Sequence, residues 1–128
     1  MMIKNIEKRI MIVDDDPDIL ISIREIFERE GYEVFTVDSG IDCIKELENG
    51  FKGLILMDIM MPFMDGWETI EEIKNKGFIK NVVISIITAK WTTDQEKLRF
   101  FQPYIYDYIT KPFDIQKLIT KVNNILNS

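Results

Sequence analysis

The chain has 128 residues, of which 46% are hydrophobic, and this composition predicts one packed domain over residues 1–128 rather than a disordered segment. The formal net charge is −6 and there is no basic block, so we expect no direct contact with nucleic acid. No apolar run reaches the roughly 18 residues of a membrane span, and residues 1–9 lack the apolar core of a signal peptide. We therefore expect no membrane association and a cytoplasmic location.

Two residue types restrict the chemistry. Histidine is absent, which excludes a Ser-His-Asp triad, a histidine metal site and a phosphohistidine on this chain. Cys43 is the only cysteine, so an internal disulfide and a zinc site of four thiolates are excluded too, and a reducing compartment is indicated. The metal chemistry that remains uses oxygen ligands and hard cations such as Mg²⁺ or Ca²⁺.

Short apolar runs alternate with segments of helical spacing along the whole chain. The runs are nearly continuous in apolar character, which is typical of strands covered by helices on both faces. Five strands are predicted at residues 9–13, 33–37, 53–57, 82–87 and 105–109.

The first two helices have clear boundary signals. Asp16-Pro17 opens the first helix, because proline suits the first helical position, and Gly31 ends it. Ser39 is the predicted cap of the second helix, which stops near Asn49-Gly50. The apolar residues at helical spacing are Ile19, Leu20, Ile23, Ile26 and Phe27 in the first helix, and Ile41, Ile44 and Leu47 in the second.

The later helices are less uniform. The third helix follows Gly66, and the last helix starts near Asp114. Thr93 with Glu96 predicts a capping box for a short fourth helix that Pro103 terminates. The predicted buried residues are Trp67, Ile70 and Ile73 in the third helix, and Ile115, Leu118, Ile119, Val122 and Ile125 in the last. Five successive βα units predict an α/β fold with a doubly wound parallel sheet and helices on both faces.

Polar residues suited to phosphate chemistry lie just after the ends of four of the predicted strands. They are Asp14-Asp15, Asp58, Thr88 and Lys111. Because the carboxyl ends of parallel strands meet at one edge of a sheet, these side chains should lie close together, where α/β sheets bind ligands. The carboxylates repel one another, and a divalent cation would offset that repulsion, while the lysine and the hydroxyl could hold a phosphoryl group.

Each of these residues also has a purely structural interpretation. Acidic residues favour helix N-termini, which accounts for Asp16 but less well for two carboxylates after a buried strand. Asp58 could be a loop acid, although a carboxylate at the end of a buried strand would carry a desolvation cost. Thr88 could be a strand-terminal β-branched residue and Lys111 a solvated loop lysine. The recurrence of polar groups at successive strand ends favours the functional interpretation.

With these motifs the chain resembles the receiver domain of response regulators in two-component signalling. The resemblance extends over about residues 9–126. Its motifs are Ile12-Val13-Asp14-Asp15-Asp16-Pro17, Leu56-Met57-Asp58-Ile59-Met60-Met61-Pro62, Asp65-Gly66, Thr88-Ala89 and Tyr108-Ile109-Thr110-Lys111-Pro112-Phe113. The resemblance implies a flavodoxin-like strand order 2-1-3-4-5.

The resemblance also implies the ligands of a metal site. Asp58 would be the phosphoacceptor. Asp15, Asp58 and the backbone carbonyl of Met60 would bind Mg²⁺ or Mn²⁺ directly, and Asp14 would act through water. Phosphoryl transfer depends mainly on positioning and charge neutralisation, which agrees with such a site.

Two further residues would act on the phosphoryl group or respond to it. Thr88 and Lys111 would each contact a phosphoryl oxygen, and Tyr108 matches the aromatic that changes rotamer between the inactive and active states. The donor would be external, namely a phosphohistidine on a sensor histidine kinase or a histidine phosphotransfer protein, or a small acyl phosphate. The chain would then be a signalling domain that catalyses only its own phosphorylation and dephosphorylation.

Half of the fourteen aromatic residues lie between residues 91 and 113. Since this number exceeds what a short helix and an edge strand can bury, we expect an exposed aromatic patch that serves a homodimer or an effector. Where the family often has Gly-Ala before the fifth strand, this chain has Tyr104-Ile105. The aromatic residues of the segment are Trp91, Phe100, Phe101, Tyr104, Tyr106, Tyr108 and Phe113.

Two other functions fit part of this sequence pattern. A phosphatase of the haloacid dehalogenase type would use Asp14 and Asp16, but Asp18 stands where that family has Thr or Val, and the chain has no room for a cap domain. A receiver that binds partners without phosphorylation is the other rival, and the complete acidic, Thr and Lys set argues against it. Because the chain ends after the fifth helix, no output domain is expected. A stand-alone regulator, a phosphorelay shuttle and an excised domain of a larger regulator or hybrid kinase all remain open.

Overall fold

The strands and helices alternate throughout the chain. The computed structural model describes residues 8–89 and 94–127. The strands are β1 (Arg9–Val13), β2 (Glu33–Val37), β3 (Gly53–Met57), β4 (Val82–Thr88) and β5 (Asp107–Thr110). The helices are α1 (Pro17–Arg29), α2 (Gly40–Glu48), α3 (Gly66–Asn75), α4 (Gln95–Phe101) and α5 (Ile115–Leu126), with 3-10 turns at Phe78–Asn81 and Gln102–Tyr104.

All strand pairs are parallel, and the strand order in the sheet is β2-β1-β3-β4-β5. The predicted doubly wound fold and strand order are therefore confirmed. Among the described residues, none of the helices combines the length and the apolar character that crossing a bilayer requires.

The core has two apolar clusters, one on each face of the sheet. One cluster joins the sheet to α2, α3 and α4, and the other joins it to α1 and α5. Successive residues of β4 alternate between the clusters: Ile84 and Ile86 belong to the first, and Val83 and Ile87 to the second. Because both faces are covered, β1, β3 and β4 are buried almost along their whole length, as their continuous apolar sequence predicted.

Side-chain caps begin all five helices. The predicted cap Ser39, and Asp16 and Asp114 near which the first and last helices were predicted to begin, accept hydrogen bonds from backbone N–H groups in the first turn. Asp65 caps α3 in a reciprocal capping box with Glu68.

The α4–β5 region differs from the prediction. Thr93 lies outside the described residues, and the cap of α4 is Asp94, whose Oδ1 accepts from the N–H groups of Glu96 and Lys97 at 3.1 Å. β5 begins at Asp107 instead of residue 105, because the 3-10 turn around Pro103 extends the connection from α4. β4 continues one residue further than predicted, to Thr88.

Two predicted core residues are exposed, namely Ile41 in α2 and Ile115 in α5. Each lies in the first turn of its helix, at the edge of the sheet, where the layered core ends. The buried stripe of α2 instead includes Cys43, together with Ile44 and Leu47.

The aromatic segment is only partly exposed. Phe100 and Tyr106 are about half exposed, whereas Phe101 is buried and stacks on Trp67 with ring centroids 4.8 Å apart. The remaining aromatics of the segment that the structure describes, Tyr104, Tyr108 and Phe113, are half-buried, and Trp91 lies outside the described residues.

Candidate functional site

Backbone hydrogen bonds bring the residues that follow the strands to one edge of the sheet. The N–H of Asp58 donates to the carbonyl oxygen of Val13 at 2.9 Å, and the N–H of Lys111 donates to that of Thr88 at 2.9 Å. These bonds continue the β1–β3 and β4–β5 ladders one step beyond the strands. The predicted polar residues are therefore positioned by the sheet itself.

Three carboxylates converge at this edge. Asp14, Asp15 and Asp58 each offer an oxygen atom, and these atoms all lie within 4.8 Å of one another. Asp14 is 1% exposed and Asp58 is 5% exposed, whereas Asp15 is exposed to solvent. The structure thus brings together the three acidic residues that the sequence placed at one site.

Lys111 lies against two of these carboxylates. Its Nζ is 2.6 Å from Oδ2 of Asp14 and 3.4 Å from Oδ2 of Asp58, and its side chain is only 16% exposed. The interpretation of Lys111 as a solvated loop lysine is therefore excluded. The sequence indicated an interaction with Asp58 but gave no sign of the shorter contact with Asp14.

Burial and the contact between Asp14 and Lys111 shift the pKa of each partner in opposite directions. Burial raises the pKa of Asp14 above its usual value, and the negative charge of Asp58 adds to the rise, although hydrogen bonds from Lys111 and from the Asp16 N–H oppose it. For Lys111, burial alone would lower the pKa, but the hydrogen bond and charge of Asp14 and the charge of Asp58 outweigh it, so the pKa is raised. The lysine is thereby held in its charged form.

The loop after Asp58 folds back onto the phosphoacceptor candidate. The N–H of Met60 donates to Oδ1 of Asp58 at 3.2 Å, and the N–H of Gly66 donates to the carbonyl oxygen of Ile59 at 2.9 Å. A Cβ atom at Gly66 would lie 2.4 Å from the carbonyl oxygen of Asp58, so this close approach requires glycine. The predicted role of Met60 concerned its carbonyl group, and the contact observed is made by its N–H.

Thr88 and Tyr108 lie on the β5 side of the site. Thr88 is buried at the end of β4. Tyr108 pairs with Ile86 across β4 and β5 and packs half-buried against the first cluster, and burial raises the pKa of its hydroxyl. The switch roles of Thr88 and Tyr108 stay predictions.

The donor set fits a hard divalent cation. It consists of carboxylate oxygens, which Mg²⁺ prefers, and a single ammonium group faces three carboxylates, which leaves an excess of negative charge. In the part of the chain that the structure describes, these three aspartates form the group with the geometry of a metal site.

Comparison with known families agrees with this geometry. The sequence model of the response regulator receiver domain matches residues 10–123. The chain belongs to this family. Receiver domains are signalling domains of two-component systems and not classical enzymes, and an acidic cluster such as Asp14, Asp15 and Asp58 is typical of the magnesium site of a receiver domain.

Individual relatives agree with the assignment to receiver domains. Response regulator SaeR of Staphylococcus aureus is 33% identical over 117 residues, which are 91% of this chain and 50% of that protein. The chain thus spans about half the length of such curated relatives.

Solved structures of receiver domains cover the chain more fully. A CheY-like response regulator receiver domain protein from Methanospirillum hungatei has 42% identity and a TM-score of 0.86, with 93% of this chain and 94% of that chain covered. Response regulator TrrA from Thermotoga maritima, solved in complex with Mg(2+)-BeF, has 31% identity and a TM-score of 0.77, with 92% and 98% covered.

Three features of the site region were not found by sequence reasoning. They are the Lys111–Asp14 contact, the capping box of Asp65 with Glu68, and the exposed position of Phe63 in the loop after Asp58. The capping box had a signal, since Asp followed by Glu three residues later is its usual spacing. The other two depend on side-chain geometry that no local spacing encodes.

Proposed function

We propose that this receiver domain accepts a phosphoryl group on Asp58 from the phosphohistidine of a sensor histidine kinase or of a histidine phosphotransfer protein. The observation that carries the proposal is the convergence of Asp58 with two further carboxylates and one lysine at the carboxyl edge of the sheet. The fold supports the same conclusion, because ligands of open α/β sheets bind at this edge.

The Asp58 carboxylate is the nucleophile. One of its oxygens attacks the phosphorus of a phosphohistidine whose other ring nitrogen is protonated, the bond from phosphorus to the imidazole nitrogen breaks, and the ring keeps that electron pair and leaves as neutral imidazole. Oδ1 accepts the N–H of Met60 and Oδ2 faces Lys111, so the carboxylate is oriented before the donor arrives. The chain thereby catalyses its own phosphorylation, and hydrolysis of the acyl phosphate reverses it.

The carboxylates of Asp15 and Asp58 and the carbonyl oxygen of Met60 would hold Mg²⁺ or Mn²⁺. When bound, the cation offsets the negative charge on the phosphoryl oxygens and the carboxylates. Asp14 contributes through water; its Oδ1 accepts the N–H of Asp16 at 2.9 Å, and its Oδ2 is paired with Lys111. Asp15 is exposed and is the more accessible ligand.

Lys111 and Thr88 bind the phosphoryl oxygens. Lys111 needs little movement for this, because its Nζ already lies 3.4 Å from the carboxylate that would carry the group. Thr88 is buried at the neighbouring strand end, and its hydroxyl turns towards the phosphoryl group. These contacts exist only after phosphorylation and therefore bias the protein towards a second conformation.

Tyr108 transmits the change to the surface. When the Thr88 hydroxyl moves, Tyr108 occupies the space that it vacates, and the surface formed by α4, β5 and α5 alters. Phe100 and Tyr106, about half exposed on this side, are suited to anchor a second copy of the chain or an effector.

Intact-mass spectrometry tests the proposal directly. Incubation of the chain with acetyl phosphate and Mg²⁺ should add one phosphoryl group, and a chelator should prevent the addition. Asp58→Asn should abolish the label, and Asp15→Ala should strongly reduce it by removing a metal ligand. Equal labelling of Asp58→Asn and the wild-type chain would exclude Asp58 as the phosphoacceptor.

A further inference from the structure

The free edge of β2 presents backbone groups that the sheet does not use. β2 is the first strand in the sheet order and pairs only with β1. The N–H of Glu33 donates to the carbonyl oxygen of Lys8 at 3.2 Å, so the backbone groups of Glu33 face β1. In a parallel ladder the backbone groups of alternate residues face opposite sides of the strand. The N–H and carbonyl groups of Val34 and Thr36 therefore point away from the sheet.

Arg24 of α1 covers this edge incompletely. Its guanidinium donates to the carbonyl oxygen of Val34 at 3.4 Å and to Oγ1 of Thr36 at 3.3 Å, and both distances are longer than usual for hydrogen bonds. Because a guanidinium has donors only, it cannot bond the outward N–H groups of Val34 and Thr36. No other group within residues 8–89 and 94–127 bonds them. An extended segment that pairs with β2 would satisfy the donors and the acceptors of this edge together.

The free edge lies in a groove between α1 and α2, with a volume of about 430 Å³. Residues 33–36 of β2 form its floor, Arg24 and Glu28 contribute the α1 wall, and Glu46 contributes the α2 wall. Phe35 is half-buried on the α2 side, where its ring packs against Phe51 with ring centroids 5.3 Å apart. The two walls therefore differ, since one carries an aromatic ring and the other carries charged groups.

The charges of the groove favour a basic occupant. Glu28, Glu33 and Glu46 line it, against the single positive charge of Arg24. Nε of Arg24 lies 3.2 Å from Oε2 of Glu28, and Nε of Arg9 lies 2.8 Å from Oε1 of Glu33. A segment that pairs with β2 takes the place of Arg24 at the edge, and a basic residue of that segment then gains Glu28 as its partner. A second copy of the chain would bring the same three glutamates to the edge and be repelled.

We propose that the free edge of β2 binds an extended segment of another protein in which apolar residues alternate with basic ones. The segment adds a further strand to the sheet, and its successive side chains point to opposite faces. Its apolar side chains pack on Phe35 at the α2 wall, and its basic side chains meet Glu28 at the α1 wall. Backbone pairing supplies the affinity, and the two different walls supply the selectivity for this alternation.

Synthetic peptides test the inference on the whole chain. The probe is a fluorescent peptide with the sequence Arg-Val-Arg-Val-Arg-Val-Arg, and fluorescence anisotropy measures its dissociation constant. One control peptide is N-methylated throughout, so that it keeps the charge and the side chains but has no backbone donors. The other control replaces every arginine by glutamate. The probe should bind about tenfold or more tightly than either control, because each control lacks one part of the proposed recognition.

Two variants of Thr36 separate backbone pairing from attraction between charges. Thr36→Pro removes one outward N–H and leaves the bonds to β1 in place, since proline is tolerated where the N–H of an edge strand faces solvent. Thr36→Val keeps the N–H and is the matched control. Thr36→Pro should raise the dissociation constant of the probe about fivefold or more, and Thr36→Val should stay within about twofold of the wild-type chain.

Two further variants test the α1 wall. Glu28→Gln should weaken binding of the probe about threefold, whereas Glu71→Gln, at an exposed position of α3, makes the same change in net charge and should have no effect. Arg24→Ala should tighten binding, because it removes the group that the probe has to displace.

Five results would overturn the inference. Equal binding of the probe and its N-methylated copy would mean that charge alone holds the peptide, and this comparison applies even if Thr36→Pro lowers the melting temperature. Equal binding to Thr36→Pro and Thr36→Val would exclude pairing at this edge. Tighter binding of the glutamate peptide would make Arg24 the anchor of an acidic partner. No binding of the probe at about 1 mM would remove the site. Concentration-dependent sedimentation that Thr36→Pro abolishes would make a second copy the occupant.

Discussion

The two edge strands of the sheet are held in different ways. β2 pairs with β1 over five positions, and Arg24 of α1 covers its free edge by donating to the carbonyl oxygen of Val34 at 3.4 Å and to Oγ1 of Thr36 at 3.3 Å. β5 pairs with β4 over four positions. Lys111, which follows β5 directly, is bonded to Asp14 and Asp58 at the ends of β1 and β3.

This difference shows why one edge should respond to phosphorylation and the other should not. The Arg24 contacts of β2 lie away from the acidic cluster, and β2 meets the cluster through backbone, where the N–H of Asp14 donates to the carbonyl oxygen of Val37 at 3.2 Å. We therefore expect a change at the Asp58 side chain to leave the contacts of β2 in place. The contact at the end of β5 is part of the cluster, and a phosphoryl group on Asp58 would draw Lys111 away from Asp14. The β5 edge is therefore positioned to report the state of Asp58.

The largest expected effect on stability comes from removing Lys111, whose ion pairs link the end of β5 to the acidic cluster. Lys111→Ala should lower the free energy of unfolding by about 2 kcal/mol, because Asp14 and Asp58 would be left buried without their partner. Urea denaturation at neutral pH measures this effect.

Lys121→Ala is the matched control, since Lys121 forms a similar pair with Asp107 at 2.9 Å but is 43% exposed. Lys121→Ala should lower the free energy of unfolding by less than about 1 kcal/mol. Equal costs for the two lysines would show that the Lys111 contact does not hold the β5 edge.

The sequence predicted the bounds of the first three strands to the residue. β1, β2 and β3 have the predicted bounds, because continuous apolar runs and residues such as Pro17 and Gly31 determine where strands and helices can begin and end. The three aspartates were found for the same reason, since their positions follow from where the strands end.

The sequence was less informative around β5. Ile105 and Tyr106 have side chains that favour strands, but the 3-10 turn at Gln102–Tyr104 precedes them and β5 begins only at Asp107, although the N–H of Tyr106 already donates to the carbonyl oxygen of Ile84 at 2.8 Å. The close contact of Lys111 with Asp14 was not predictable either, because it is set by side-chain geometry between positions 97 residues apart. Local spacing carries no information on such a distance.

The next largest expected effect on stability comes from the buried thiol of Cys43. Burial raises the pKa of Cys43 in α2 to about 12 from the 9.0 of an exposed thiol, with a smaller contribution from the charge of Glu46. Above pH 9 the unfolded chain loses the thiol proton while the folded chain keeps it, so stability falls as pH rises, until the folded thiol also ionises.

Between pH 9 and pH 10 the wild-type chain should therefore lose about 1 kcal/mol more of its free energy of unfolding than Cys43→Ala does. The variant should be the less stable of the two at pH 7, because it leaves a small cavity. Chemical denaturation at the three pH values measures both effects. Parallel pH dependence of the two proteins would mean that the thiol ionises in the folded state as readily as in the unfolded state.

The smallest expected effect on stability comes from removing Arg24, whose hydrogen bonds cover the free edge of β2. Arg24→Ala should lower the free energy of unfolding by only about 0.5 kcal/mol, since the side chain is partly exposed, yet amide exchange in residues 33–37 should become faster. Arg24→Lys keeps the charge and the neighbour Glu28 but loses the two-pronged contact, so it should show the same increase in exchange. Unchanged exchange in both variants would show that Arg24 does not hold this edge.

The most direct test compares deuterium uptake at the two edges in the same sample, with and without beryllofluoride and Mg²⁺ as a mimic of the phosphoryl group. Uptake should change in residues 104–111, which include β5 and Lys111, and stay constant in residues 33–37 of β2. Asp58→Asn should abolish the change. Equal changes at both edges, or a constant uptake in residues 104–111 of the wild-type chain, would contradict the coupling of Asp58 to the β5 edge.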